Sequence, residues 1–245
     1  MLSNTSVIYE PKGKAGEYSK LAVNVYNGCG HRCEYCFAPA FMRTARETFN
    51  QPTPRKDILQ KIKQDATLLQ KEHENRPVLL CFTCDPYQPV DEQFQLSRQS
   101  IQILHSCHLG VKILTKGGKR AERDFDLLTD DDWFGVTLTN LDNKLSLQWE
   151  PGAAMPEERI NSLRRAHEKG IKTWVSLEPV LYPEITLKII RRTYGFVDEF
   201  KVGTLNYHPH AENVDRHRFA VDVKQLLIFL KCNYYLKNDL RRWLG

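Results

Sequence analysis

Along the chain, short and wholly apolar runs alternate with longer amphipathic ones. Leu21 to Tyr26 is the first β-leaning run, and Asn27-Gly28 turns the chain away from it. Between Arg55 and Glu72 the apolar residues Ile58, Leu59, Ile62, Ala66, Leu68 and Leu69 share one broad face, which predicts a helix. Pro77 to Thr83 carries a continuous apolar run, as expected of a strand buried on both faces. The alternation then repeats: helix over 95–107, strand over 111–115, short helix over 122–128, strand over 133–139. A helix over 156–169 closed by Gly170, a strand over 171–177, a helix over 184–194 closed by Gly195 and a strand over 197–202 follow. Residues 215–231 read as a helix, and a further helical tail runs to Gly245.

Counted from Leu21, this makes six strand-helix units. Such repeats imply a parallel sheet with right-handed crossovers. Six units are too few to close an eight-stranded barrel, so the expected fold class is α/β, an open partial (β/α)6 barrel. Residues 1–20 read as a polar, extended lead-in, 21–214 as the barrel and 215–245 as a helical segment packed on it. In such folds the active groups gather at the carboxyl ends of the strands.

Composition narrows the class. The 245 residues suffice for one sizeable core, and 41% hydrophobic with 27% charged content is ordinary for a globular chain. No apolar run approaches the roughly 18 residues of a membrane span, and Met-Leu-Ser-Asn-Thr-Ser lacks a basic-then-apolar signal pattern. Seven cysteines, three of them clustered, fit a reducing interior better than a disulfide framework, so a cytoplasmic setting is expected. A net charge of +5 is compatible with a phosphate-bearing partner but far from that of a dedicated DNA-binding arm. Arg164-Arg165, Arg191-Arg192 and Arg241-Arg242 read as solvated helix faces, whereas Lys116-Gly-Gly-Lys119-Arg120 follows a strand end.

The first strand leads into Cys29-Gly-His-Arg-Cys33-Glu-Tyr-Cys36-Phe, three thiols within eight residues. Three soft ligands can converge on a metal centre but leave the four-ligand shell of structural zinc incomplete. His31 sits between the first two cysteines, where a tetrahedral site would be strained. An iron-sulfur cube held this way keeps one iron without a protein ligand, which suits a reactive cluster with an exogenous ligand.

Cys29-x3-Cys33-x2-Cys36 followed by Phe37 resembles the signature of the radical S-adenosylmethionine (radical SAM) enzymes. The resemblance implies a 4Fe-4S cluster on Cys29, Cys33 and Cys36, with Tyr35 and Phe37 beside the cofactor. It implies SAM bound at the open iron, cleaved on reduction to methionine and a 5′-deoxyadenosyl radical that takes hydrogen from substrate. A reductant such as flavodoxin or ferredoxin is then required. At the second strand end Thr83, Cys84 and Asp85 offer acceptors for the SAM amino group, although Asp85-Pro86 also serves as a turn initiator. Lys116 at the third end complements its carboxylate, and Thr137 at the fourth its ribose, with Asn140 and Asp142 left to cap the next turn. Glu178 at the fifth end lies at the mouth, as a further cofactor-binding candidate, or pairs with a cation such as Lys201. His208 and His210 read as substrate contacts or loop polarity, and Cys107 and Cys232 as core.

Tyr9-Glu10-Pro11-Lys12-Gly13-Lys14-Ala15, Asp85-Pro86-Tyr87-Gln88-Pro89, Thr115-Lys116, Arg123-Asp124, Glu150-Pro151-Gly152 and Glu157-Glu158-Arg159 narrow the resemblance to the spore photoproduct lyase-like branch. The chain departs from the lyase in lacking its large N-terminal extension and substrate-gripping hairpin. It departs again at the hydrogen-donating cysteine of a Cys-Thr-Ser-Asp stretch. Here that stretch reads Phe82-Thr83-Cys84-Asp85, so Cys84 becomes the candidate donor, and Cys81, of opposite parity, is expected to face another layer. The expected function is radical abstraction of hydrogen from a pyrimidine nucleotide or a nucleobase in DNA. The alternatives are a radical isomerase or mutase of a modified nucleobase or small molecule, and an iron-sulfur redox sensor or binding module without turnover.

Overall fold

The computed structural model describes residues 2, 5–206 and 208–245. Seven parallel strands form one sheet in the order of the chain: β1 (Leu21–Val23), β2 (Val78–Leu80), β3 (Val111–Thr115), β4 (Trp133–Thr137), β5 (Lys172–Leu177), β6 (Glu199–Val202) and β7 (Tyr234–Leu236). Helices α1 (Ile58–Lys71), α2 (Leu96–His105), α3 (Asn143–Trp149), α4 (Pro156–Glu168), α5 (Pro183–Thr193) and α6 (Arg216–Phe229) supply the crossovers. Neighbour-to-neighbour order, with an α-helix in every return except that from β3 to β4, gives the open partial barrel.

Strand parity sorts the core. Leu21, Val23, Val78 and Leu80 face the helices with Ile62, Ile101 and Val175, whereas Ala22, Leu79 and Trp174 turn to the barrel interior with Tyr18. Trp174 plugs the interior and donates from its indole to Ile113 O at 2.9 Å. Gly135 on β4 makes room for it, because a Cβ there would lie 2.2 Å from the indole nitrogen. Asp142 caps α3 by accepting from Leu145 N, as its position after the fourth strand implied.

Three expectations change. The segment read as a helical tail contains β7, which pairs with β6 through Phe200–Tyr234 and Val202–Leu236. A strand of three residues, two of them tyrosines beside lysine and asparagine, has no period by which to recognise it. The short helix expected over 122–128 is a 3-10 turn at Gly118–Asp124. The lead-in is a strap across the open side: Tyr9 pairs with Ala22 at one sheet edge, and Glu17 accepts from Tyr235 and from Asn238 N at the other.

Candidate active site

Every strand delivers its end to one mouth, and there a cavity of about 1010 Å³ opens. Cys29, Cys33 and Cys36 line it together with Tyr35, Phe37, Thr83, Cys84, Asp85, Lys116, Thr137 and Glu178. The three cysteines and these strand-end residues therefore meet in one space.

The cysteine loop is held by its backbone. Arg46 donates to the carbonyls of Cys33 at 2.9 Å, Glu34 at 3.2 Å and Cys36 at 3.4 Å, so one guanidinium fixes the whole turn. Gln88, fully buried, accepts from Gly30 N at 2.7 Å and donates to Gly28 O at 3.4 Å. Glu34 N reaches Trp149 O at 2.9 Å, and Gly152 N reaches His31 O at 2.9 Å. That last contact requires glycine, since a Cβ on residue 152 would sit 2.2 Å from Gly30 O. Gly152→Ala is expected to cost about 1–3 kcal/mol and to lower cluster loading, measured by denaturant unfolding and by iron per chain. An unchanged midpoint would mean that the loop is not seated there.

Asp85 ties this loop to the third strand. Its Oδ1 accepts from Thr115 Oγ1 at 2.6 Å and Tyr87 N at 2.9 Å, its Oδ2 from Lys116 N at 2.7 Å, and His31 Nδ1 lies 3.3 Å away. Burial opposes the charge, but His31, Thr115 and the Lys116 amide together hold the carboxyl far below the usual range. Its oxygens are thus spent on protein donors, which makes Asp85 a positioning group.

His31 is locked from its other side by Arg120, whose Nη2 lies 3.2 Å from Nε2. A guanidinium can only donate, so Nε2 accepts and the ring proton is on Nδ1, facing Asp85. Burial holds the imidazole below its usual pKa despite Asp85, consistent with this neutral form. Both ring nitrogens are engaged, and neither is free for a metal. Among the described residues no three His, Cys, Asp or Glu side chains are grouped tightly enough for a single metal ion. A cube takes each thiolate on a different iron corner, so three spaced thiols with no fourth ligand fit it and leave zinc one donor short. Burial pushes Cys29 up and Cys33 to about 12, so the protein alone keeps them as thiols and ligation must release protons.

A buried ion pair backs the loop. Glu150 and Arg159, each 1% exposed, meet at 2.6 Å, and Tyr35 donates from its hydroxyl to Glu150. Lys116 Nζ lies 5.8 Å from the Tyr35 ring centroid. Burial works against its charge, yet Cys33, Glu150 and Asp85 outweigh that and hold the amine above its usual pKa.

Two placements correct the sequence expectations. Cys81 lines the same cavity as Cys84, because β2 stops at Leu80 and strand parity ends there. The cation on Glu178 is Lys237, at 2.5 Å, while Lys201 donates to the carbonyls of Glu17 and Tyr18 at the base of the barrel. Sequence reasoning also missed Asn24, whose Oδ1 accepts from both Phe82 N and Thr83 N at 2.8 Å and shapes the loop carrying both thiols. Its amide donates to Tyr9 at 3.0 Å, a contact between segments that no local pattern signals. His208 and His210 pack against Trp149, with centroids 5.2 Å away, and Tyr207 lies outside the described residues. Cys107 is buried core, and Cys232 packs half-buried against it.

Similarity to known proteins agrees with this geometry. An uncharacterized protein of Methanocaldococcus jannaschii is 26% identical over 192 residues, covering 77% of this chain and 71% of that one. An uncharacterized protein of Acidianus two-tailed virus is 30% identical over 179 residues, covering 66% and 56%. A variant of spore photoproduct lyase superposes with a TM-score of 0.74 at 12% identity, over 96% of this chain and 80% of that one. SuiB of Streptococcus suis, bound to S-adenosylmethionine, gives 0.67 at 13% identity, over 91% and 52%, so this chain spans about half of SuiB. No helix among the described residues is long and apolar enough to cross a membrane. The radical SAM superfamily profile matches residues 23–197, most of the chain and all three cysteines, and the protein belongs to that superfamily, with a 4Fe-4S cluster and SAM as its cofactors.

Proposed function

We propose that this chain is a radical SAM enzyme acting on a nucleotide or on a pyrimidine nucleobase in DNA. The carrying observation is the make-up of the cavity. Its lining includes Lys12, Lys56 and Lys61, together with Lys14, paired with Asp239 at 3.0 Å, and Arg55, which donates to Asn27, and its carboxylates, Asp85 and Glu178, are engaged by protein donors. Phe41, 72% exposed, stands against Phe37 at 6.3 Å, and Phe37 against Phe82 at 5.6 Å. Cations beside a row of edge-on and tilted aromatic rings suit phosphate and base together.

When bound, the cluster and SAM supply a 5′-deoxyadenosyl radical that removes hydrogen from the substrate. The chain's own residues bind and orient. Cys29, Cys33 and Cys36 would hold the cluster, and Lys116 the SAM carboxylate. Thr83 and the neighbouring loop would receive the amino group, and Thr137 the ribose. Asp85 acts through His31 and the Lys116 amide by fixing where those groups stand. Cys84 is the thiol from which a substrate radical can recover hydrogen, with Cys81 lining the same cavity. The presence of Phe82 at the lyase's donor position supports a second reading, a radical isomerase or mutase that returns hydrogen to 5′-deoxyadenosine and needs no thiol.

Under dithionite and SAM, the reconstituted enzyme is expected to release 5′-deoxyadenosine faster with a single-stranded oligonucleotide than without. The stimulation should fall as salt rises. Stimulation by peptide alone would overturn the substrate class. Cys84→Ala is expected to divert product towards hydrogen returned from 5′-deoxyadenosine, followed by deuterium exchange, whereas an unchanged partition would favour the isomerase reading.

A further inference from the structure

Four polar side chains of the same cavity are left over by the cysteine loop and its supports. Glu178 follows β5, Lys237 follows β7, Ser176 is on β5, and Tyr18 comes from the strap. Lys237 Nζ stands 2.5 Å from Glu178 Oε2 and 4.3 Å from the Tyr18 ring centroid. Tyr18 donates to the same Oε2 and lies 2.9 Å from Ser176 Oγ. Both partners of Glu178 therefore converge on one oxygen, and among the described residues nothing donates to Oε1. The Lys237 ammonium, on a residue 2% exposed, spends one hydrogen on Glu178 and has no second acceptor among the described residues.

An acceptor open to the cavity beside a buried ammonium with hydrogens to spare is the pattern that a ligand can meet with one donor and one acceptor. The matching ligand carries N–H next to C=O. Its surroundings call for a flat ring: Tyr18 is 6.0 Å from both Phe82 and Trp174, and Phe82 continues to Phe37 at the mouth. The cysteine loop leaves β1 at one edge of the sheet, while Lys237 follows β7 at the other, so this pair faces the cluster loop across the mouth. We infer that Glu178 and Lys237 read the lactam edge of a nucleobase, Glu178 accepting from the ring N–H and Lys237 donating to the adjacent carbonyl. The inference rests on the nucleotide reading and reassigns Glu178 from cofactor to substrate.

The test uses reconstituted holoenzyme with thymidine 5′-monophosphate, its N3-methyl derivative and SAM as separate probes, measured by equilibrium dialysis. The wild type should bind the methylated nucleotide about tenfold or more weakly, the loss of one charge-assisted hydrogen bond. Glu178→Gln and Lys237→Met should weaken the unmethylated nucleotide similarly, erase the preference and leave SAM binding within about twofold. Tyr18→Phe, which keeps the ring, should retain the preference. Nucleotide binding with equal affinity for both forms would overturn the lactam assignment alone. Weakened SAM binding in Glu178→Gln would overturn it in favour of the adenine of SAM. Failure of any nucleotide to bind, with SAM bound and cleaved normally, would remove the nucleotide reading on which it stands.

Discussion

Arg159→Met is expected to destabilise the protein by about 3–5 kcal/mol, because it strands a buried carboxylate. Arg159 pairs with Glu150 at 2.6 Å, donates to Ala154 O at 2.7 Å and to Thr137 O at 3.1 Å, and has no solvent to replace it. Once it is gone, Glu150 keeps, among the described residues, the Tyr35 hydroxyl and the field of Lys116. Tyr35 lies between two of the cluster cysteines, so the damage should spread from fold to cofactor. Iron retained per chain should fall along with the denaturant midpoint. Combining Glu150→Gln with Arg159→Met removes the stranded charge and should recover part of the loss. A cost below about 1 kcal/mol in the single variant would show that the pair is solvated and does not brace the loop.

Lys116→Met is expected to weaken SAM binding by about 30-fold or more, corresponding to about 2 kcal/mol or more for a buried charge deprived of its partner. The backbone of Lys116 is pinned on both sides, its amide by Asp85 at 2.7 Å and its carbonyl by Ala154 N at 2.9 Å, which holds the side chain on the cavity wall. Burial disfavours its charge, but the carboxylates of Glu150 and Asp85 favour it. Met preserves the aliphatic stem and removes the charge, so cluster content should stay near wild type while the dissociation constant for SAM rises. Lys116→Arg should recover only part, because a planar fork replaces a point charge. A change of less than about threefold in the Met variant would place the SAM carboxylate elsewhere.

The parts of the fold that were legible in the sequence are those governed by local burial. Strands such as Val78–Leu80 are covered on both faces and appear as unbroken apolar runs, and each following helix shows its own face. Strand-end logic brought Lys116, Thr137 and Glu178 to one mouth for the same reason: a parallel sheet puts all its carboxyl ends on one side. Legibility stopped where partners come from distant segments. Asp85 read as a ligand acceptor because nothing near it shows that His31, Thr115 and the Lys116 amide take up its oxygens. Gln88 and Arg159 were visible only as members of motifs, and their work, on Gly28, Gly30 and Glu150, appears once the loops are assembled. Tyr18 and Lys237 lie 219 positions apart and meet because the strap crosses to β7. Cys81 was misplaced by extending strand parity beyond the point where the strand ends.

The central claim is that three thiols leave one iron of a cube open for SAM. It is tested most directly by anaerobic reconstitution followed by metal analysis and electron paramagnetic resonance with and without SAM. About four irons and four sulfides per chain, and a reduced-cluster spectrum that moves when SAM is added, are the expected results. Stoichiometric zinc in place of iron, or a cluster whose spectrum ignores SAM, would contradict it.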